Sequence, residues 1–238
     1  MTRKHPHSLP LAALAGIILT LTACGEAGDT PLEPNAVPTE VSFTVAPSVD
    51  VLTLPDFTPT GGTSTIQRGP NGVDYQLEAV GLTPGHAATL WFLVFNYPAG
   101  CTTGAPCGGD DIVNADARPD MMFAAGRVVG GSGTAMFAGR RSVGDGSGSA
   151  NGPVGLPAFG LENPEDAIIF LVVHDHGPVD SAFLPSMVKS IDGGCSDAGV
   201  PEAGVSSPWN DYAGPPAGAF GVRGSNTCQS IQIAVHAP

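Results

Sequence analysis

The chain has 238 residues, of which 9 are Lys or Arg and 22 are Asp or Glu, giving a formal charge of −13 at neutral pH. A surface of that sign repels phosphate, and so few scattered basic residues build no basic patch, which argues against nucleic acid as a partner. Glycine and proline are abundant, at 33 and 23 residues, close to the range where disorder sets in, yet long apolar runs remain and supply the material for a core.

At the start, Arg3 and Lys4 precede an apolar run from Leu9 to Leu21 that is broken only by Pro10, Gly16 and Thr20. A cationic start, a short apolar stretch and small residues behind it mark an export signal, and the stretch falls short of the roughly 20 apolar residues that a membrane span needs. At its end, Leu21-Thr22-Ala23-Cys24 resembles the lipobox of bacterial lipoproteins. The resemblance implies cleavage before Cys24, with residues 1–23 as signal peptide, and acylation of Cys24 with palmitate-type chains. Several chains on one residue anchor stably, whereas one chain binds only marginally at about 0.8 kcal/mol per buried CH2. The expected placement is therefore the cell envelope, lipid-anchored. Gly25 stands where an aspartate would, by resemblance to Gram-negative sorting rules, favour the inner membrane, so in such a host the outer membrane is expected.

Removing residues 1–23 takes out Arg3 and Lys4 and no acid, leaving 7 basic against 22 acidic side chains and a charge of −15. Residues 24–40 carry the lipidated cysteine and a tether with three prolines and no apolar periodicity. At about 3.1 Å per residue, such a segment reaches roughly 50 Å when extended. Residues 41–238 are expected to form a single domain.

In chain order, runs rich in β-branched and aromatic residues between Gly, Pro, Asn and Asp clusters predict strands at 41–45, 64–67, 73–80, 87–97, 121–129, 134–141, 167–174, 186–191 and 229–236. Leu90-Trp91-Phe92-Leu93-Val94-Phe95 and Ile168-Ile169-Phe170-Leu171-Val172-Val173 are apolar on both faces, which predicts central strands covered on each side. Gln229 to His236 alternates, with Ile231, Ile233 and Val235 on one face and Gln232, Ala234 and His236 on the other, and reads as half exposed. Gly130-Gly131-Ser132-Gly133 reads as a tight turn. The expected fold is all-β, a two-sheet antiparallel β-sandwich with Greek-key-like connections or a flattened barrel, of about nine strands. Two long loops, 143–165 and the 32 residues between Cys195 and Cys228, are candidate sites.

With Cys24 assigned to lipid, four cysteines remain in an exported domain and imply two disulfides. Of the three pairings, Cys101–Cys107 with Cys195–Cys228 is favoured, because each pair lies within one loop. In the chain-entropy picture they contribute about 2.4 and about 3.8 kcal/mol.

Chemistry concentrates at His174-Asp175-His176, which ends a central strand before Gly177-Pro178. Residues two apart on a strand face the same way, so two imidazoles can grip one Zn2+ or Cu2+, with His236 and His86 as the remaining histidine ligands available outside the signal. Asp175 faces the other side. The acidic stretches Asp110-Asp111 and Glu162-Asn163-Pro164-Glu165-Asp166 offer oxygens for Ca2+, without EF-hand spacing. In the large disulfide loop Trp209, Asp211 and Tyr212 combine flat rings with polar neighbours, a pattern that suits a glycan, small-molecule or protein ligand. No Gly-x-Ser-x-Gly elbow, His-Glu-x-x-His or phosphate-cradling loop occurs.

The segments Gly81-Leu82-Thr83-Pro84-Gly85-His86, Asn96-Tyr97-Pro98 to Cys101, His176-Gly177-Pro178 and Cys228 to His236 resemble a set of exported bacterial β-domain proteins to which no activity is attached. A fainter likeness is to chordin-type and copper/zinc superoxide-dismutase-like sandwiches, in which a Leu-x-Pro-Gly turn leads into a strand bearing His-x-His. Here Leu90 and Phe92 occupy that strand, so dismutase chemistry is not implied. The expected function is that of a membrane-anchored lipoprotein with a non-enzymatic binding or structural role. The alternative is a metal-binding or redox protein that uses the His-x-His strand end.

Overall fold

The computed structural model describes residues 44–102, 106–151, 156–196 and 221–238. The chain divides into two units, Met1–Thr39 and Glu40–Pro238, and the first lies wholly outside the described residues. The export signal, Cys24 and the tether are thus outside them as well.

Among the described residues nine strands follow one another: β1 (Thr44–Val45), β2 (Val49–Thr53), β3 (Pro59–Gly69), β4 (Gly72–Ala79), β5 (His86–Phe95), β6 (Pro119–Val128), β7 (Ala135–Ser142), β8 (Ile168–Pro178) and β9 (Gln229–His236). All the paired ladders are antiparallel, and the order β6-β5-β8-β9-β2-β3-β4-β7 runs through one continuous sheet with β1 added beside β3. The all-β antiparallel expectation is met. Because the ladder is unbroken, its form is a flattened, nearly closed barrel, and the non-sequential neighbours β5–β8, β4–β7 and β2–β9 make the connections Greek-key-like.

Side chains close the remaining gap between the two end strands. Arg127 of β6 lies over the Phe137 ring of β7 at 5.0 Å, and Arg141 of β7 donates to the Phe123 carbonyl of β6. The Gly130–Gly133 turn is present, with Gly133 N–H donating to the Gly130 carbonyl at 3.0 Å. It carries the chain across that gap, since β6 pairs only with β5 and β7 only with β4.

Alternation of side chains builds two apolar layers. Odd residues of β4, Val73, Tyr75, Leu77 and Ala79, meet Leu90, Phe92 and Val94 of β5 and Ile169, Leu171 and Val173 of β8 in the barrel interior, where Tyr75 and Phe92 rings lie 5.5 Å apart. The opposite parity of β5, Trp91, Leu93 and Phe95, joins Ile168 and Val172 in a second layer on the outer face, roofed by Cys107, Ile112, Ala117, Ala150 and Ile191 from the connecting segments. Each large side chain so buried contributes about 1.5–3 kcal/mol. That double burial is why β5 and β8 read as apolar throughout, as expected for covered strands.

Three local expectations are corrected. Residues 186–191 are not a strand: Leu184–Met187 form a short helix, α1, with Pro185 in its first turn, where a missing N–H costs nothing. Met187 and Ile191, four residues apart, are then both buried. Residues 49–53, which lie outside the predicted strands, form β2, which bridges β3 and β9 and joins the two halves of the sheet. Lastly, β9 is not half exposed, because Gln232 and His236 are buried and held by the Val80 carbonyl and the Ser64 hydroxyl.

Two glycines allow close approach. At Gly72 (φ +152°) a side chain would strike the Arg141 carbonyl of β7, and at Gly126 of β6 it would strike the Val188 carbonyl just after α1. The second contact seats the segment 184–195 on the outer face.

Candidate functional site at the His174–His176 strand end

Strand parity places His174 and His176 on the outer layer with Thr89 and Trp91, since Thr89 is the register partner of His174. Segment 184–195 then covers them, leaving His174 1% and His176 0% exposed. The two rings meet edge to face at 4.7 Å.

His176 is fully bonded. Its Nδ1 lies 2.9 Å from the Gly193 carbonyl, which can only accept, so Nδ1 carries the proton. Nε2 therefore accepts from the Thr89 hydroxyl at 2.9 Å, and Thr89 Oγ1 in turn accepts from Trp91 Nε1–H at 3.0 Å. Loss of hydration on burial pushes the His176 pKa down to about 4, against a smaller opposing pull from the Gly193 carbonyl and Asp175. The ring is neutral at physiological pH. His174 is held well below the ordinary histidine range by burial first and by the neighbouring His176 second; the Ile191 backbone opposes this. Its Nδ1 sits 3.5 Å from Ser230 Oγ, while its buried Nε2 has no hydrogen-bond partner of normal geometry.

Above the pair runs the disulfide Cys195–Cys228, with Cα atoms 5.6 Å apart; the second bridge, Cys101–Cys107, spans 5.5 Å. Both pairings are those favoured from loop position. Cys195 Sγ is 3.6 Å from His176 Nδ1. One ring nitrogen of each of His174 and His176 and the sulfurs of Cys195 and Cys228 all lie within 4.8 Å of one another, and all four residues are buried. The ends of the large loop are stitched down around this point. Asn226 donates through Nδ2 to the His176 and Pro178 carbonyls at 2.8 Å each, and Ser196 N–H donates to the Asn226 carbonyl at 2.7 Å.

The other two histidines do not join this pair. His236 is paired with Ile169 while His174 is paired with Ser230, a separation of six residue steps along β9, about 20 Å at about 3.4 Å per residue. It also faces the barrel interior, where Nε2 meets Ser64 Oγ at 2.9 Å and burial, with help from Arg68, lowers its pKa to about 4. His86 lies on the opposite face of the β5–β8 ladder and is hydrogen-bonded to Asp175, Nδ1 being 3.0 and 3.1 Å from the two carboxylate oxygens. Asp175 points away from His174 and His176, as strand parity requires, and also accepts from Gly177 N–H at 2.8 Å.

Part of each acidic stretch is likewise engaged within the protein, at Asp111, Glu162 and Asn163. Asp111 is buried beside Cys101–Cys107 and accepts from Thr102 N–H and Oγ1, Gly108 N–H and Asn114 Nδ2. Glu162 forms a two-pronged pair with Arg118. Asn163 closes a turn through its carbonyl to Ala167 N–H. The loop 143–165 is pinned to the barrel by Asp120, which accepts from Ser149 Oγ and Gly160 N–H at 2.6 Å and whose pKa is raised by burial. Trp209, Asp211 and Tyr212 lie outside the described residues.

Reading the sequence missed that the disulfide and the His-x-His are one cluster, and that Thr89, Trp91 and Gly193 belong to it. A signal was available. Pairing β8 with β9 in antiparallel register brings Cys228, two residues before Ser230, beside the end of β8. Comparison with protein-family models, with curated proteins and with solved structures finds no match.

Proposed function

We propose that this chain is a lipid-anchored cell-envelope protein, facing the surface or the periplasm, with a non-enzymatic binding or structural role, in which a rigid barrel presents the loop closed by Cys195 and Cys228. One observation carries the reading: the loop's two ends are clamped onto the His174–His176 strand end by the disulfide and by the Asn226 and Ser196 hydrogen bonds. Loop display on a rigid scaffold is how β-domains commonly bind, and Trp209, Asp211 and Tyr212 are the ligand contacts assigned to this loop. The anchor is Cys24.

The test has two arms. The full chain should fractionate with membranes and take up labelled palmitate, while Cys24→Ser should do neither; equal partition of the two chains would defeat the anchor. In the second arm, glycan and peptide arrays are probed with the wild type and with Trp209→Ala. Retention that depends on Trp209 supports loop binding, and unchanged retention refutes it.

A second reading, a Zn or Cu site or a redox role at the same strand end, is favoured by one specific feature. The sulfurs of Cys195 and Cys228 lie within 4.8 Å of ring nitrogens of His174 and His176.

A further inference from the structure

We infer that Cys195 and Cys228, once reduced, complete a four-ligand zinc site with His174 and His176, so that the disulfide is the closed form of a redox-gated metal centre. The inference rests on the second reading above and narrows it to a ligand set, a metal and a trigger. His236 and His86 have no part in it.

Geometry supports the ligand set. Tetrahedral Zn2+, with Zn–S of about 2.3 Å and Zn–N of about 2.0 Å, sets an N···S separation of about 3.5 Å, and Cys195 Sγ already stands 3.6 Å from His176 Nδ1. All four donor atoms lie within 4.8 Å, and the same bond lengths set a sulfur–sulfur separation of about 3.8 Å once the bridge is open. Two thiolates and two neutral imidazoles are a donor set that zinc favours over Ca2+ or Mg2+. The buried Nε2 of His174 adds an independent observation, for it makes no hydrogen bond of normal geometry, although the Ile191 backbone acts on the ring, and a buried nitrogen so placed normally costs free energy.

The Thr89 hydrogen bond adapts to both states, whereas the Gly193 carbonyl gives up its His176 donor in the open one. With the bridge closed, Nδ1–H of His176 donates to Gly193 and Nε2 accepts from Thr89. For Nδ1 to bind a cation the ring takes the other tautomer, and Nε2–H then donates to Thr89 Oγ1, the outer partner that metal-bound histidines usually have. No net proton is gained or lost by the ring.

Opening needs a dithiol. Its thiolate attacks one sulfur of Cys195–Cys228, a mixed disulfide forms, and the second thiol resolves it. The dithiol is thereby oxidised to a disulfide, and two electrons with two protons reduce the bridge to two thiols. Binding Zn2+ then releases those two thiol protons.

The test uses the full chain in detergent, exposed to Zn2+ with or without a trialkylphosphine reductant, then desalted and assayed for metal. About one Zn2+ per chain is expected after reduction and none before. Co2+ in its place should give sulfur-to-cobalt charge-transfer absorption. Bound metal should protect Cys195 and Cys228 from alkylation while Cys101 and Cys107 react. Cys101→Ser with Cys107→Ser should keep the metal, and Cys195→Ser with Cys228→Ser should lose it. His174→Gln, which leaves the bridge intact, should weaken binding beyond the roughly 10- to 100-fold lost when a ligand's outer partner is removed.

Equal zinc in the oxidised and reduced chains would overturn the thiol ligands and leave a histidine site standing. Absence of zinc in both states, or in a reduced chain that has lost its β-sheet circular dichroism, would overturn this inference, and the first of these would also remove the second reading. Binding that follows Cys101 and Cys107 would overturn it as well.

Discussion

Lowering the pH from 7.5 to 5 should destabilise the domain steeply, and the cause is its three buried histidines. His176 and His236 have pKa values pushed down to about 4 by burial, and His174 is pushed down further in the same direction. In the unfolded chain each returns to about 6.5. Between these values the unfolded state binds more protons, so stability rises with pH in this window and is lost as pH falls toward 4. At pH 5 the loss is set by protonation of the unfolded ring and amounts to about 2 kcal/mol each for His176 and His236, with His174 adding in the same direction. That compares with a total of about 5–15 kcal/mol for a typical domain.

Urea titrations at pH 7.5, 6.5, 5.5 and 5.0 measure the effect directly. The unfolding free energy should fall along a curve that steepens below pH 6.5 and approaches three protons taken up on unfolding. His236→Gln shifts the absolute stability, but its informative readout is the slope, which should drop by about one proton, or about 1.4 kcal/mol per pH unit. A flat profile between pH 7.5 and 5, or greater stability on acidification, would refute the reasoning.

Further predictions follow from the same geometry. Thr89→Val leaves Trp91 Nε1–H and His176 Nε2 without their shared partner and should cost about 1–3 kcal/mol in urea unfolding; a change below half a kilocalorie would show that the chain of bonds is not needed. Replacing Cys195 and Cys228 with alanine should destabilise by up to about 3.8 kcal/mol against about 2.4 kcal/mol for Cys101 and Cys107, rising with the logarithm of loop length, and the reverse order would contradict the entropic account. Arg68 donates to the carbonyls of Pro164, Ala167, His236 and Ala237. Arg68→Met should therefore loosen the end of β9, read as faster amide exchange at residues 233–236, with a loss of about 3 kcal/mol. Gly126→Ala should lift segment 184–195 from the outer face, because its Cβ meets the Val188 carbonyl, and should raise the His174 and His176 pKa values toward the ordinary range by letting water in, an effect that ring proton NMR reads.

The sequence by itself determined the strand character of the domain and favoured the disulfide pairs that formed. Two six-residue runs that are apolar on both faces can only be strands covered on each side, and β5 and β8 are so covered. Cysteines close in sequence, within one loop, pair with each other for reasons of loop entropy, and both pairs formed. The parity of His174, Asp175 and His176 was legible for the same reason, a period of two along an extended strand.

What needed the tertiary structure was everything that depends on register between distant segments. β2 is too short, with only Val51 fully buried, to announce itself, yet it joins the two halves of the sheet. His236 has the same residue type as His174 and lies on the neighbouring strand, but six residues of register and the opposite face separate them. Residues 186–191 have strand-like composition, but Pro185 opens the one-turn helix Leu184–Met187 and turns follow it, so the segment forms a cap and not a strand. It is that cap, seated on Gly126, that carries Cys195 to the His-x-His pair. A contact between residues nearly twenty apart on one side and fifty on the other belongs to packing, which no local pattern encodes.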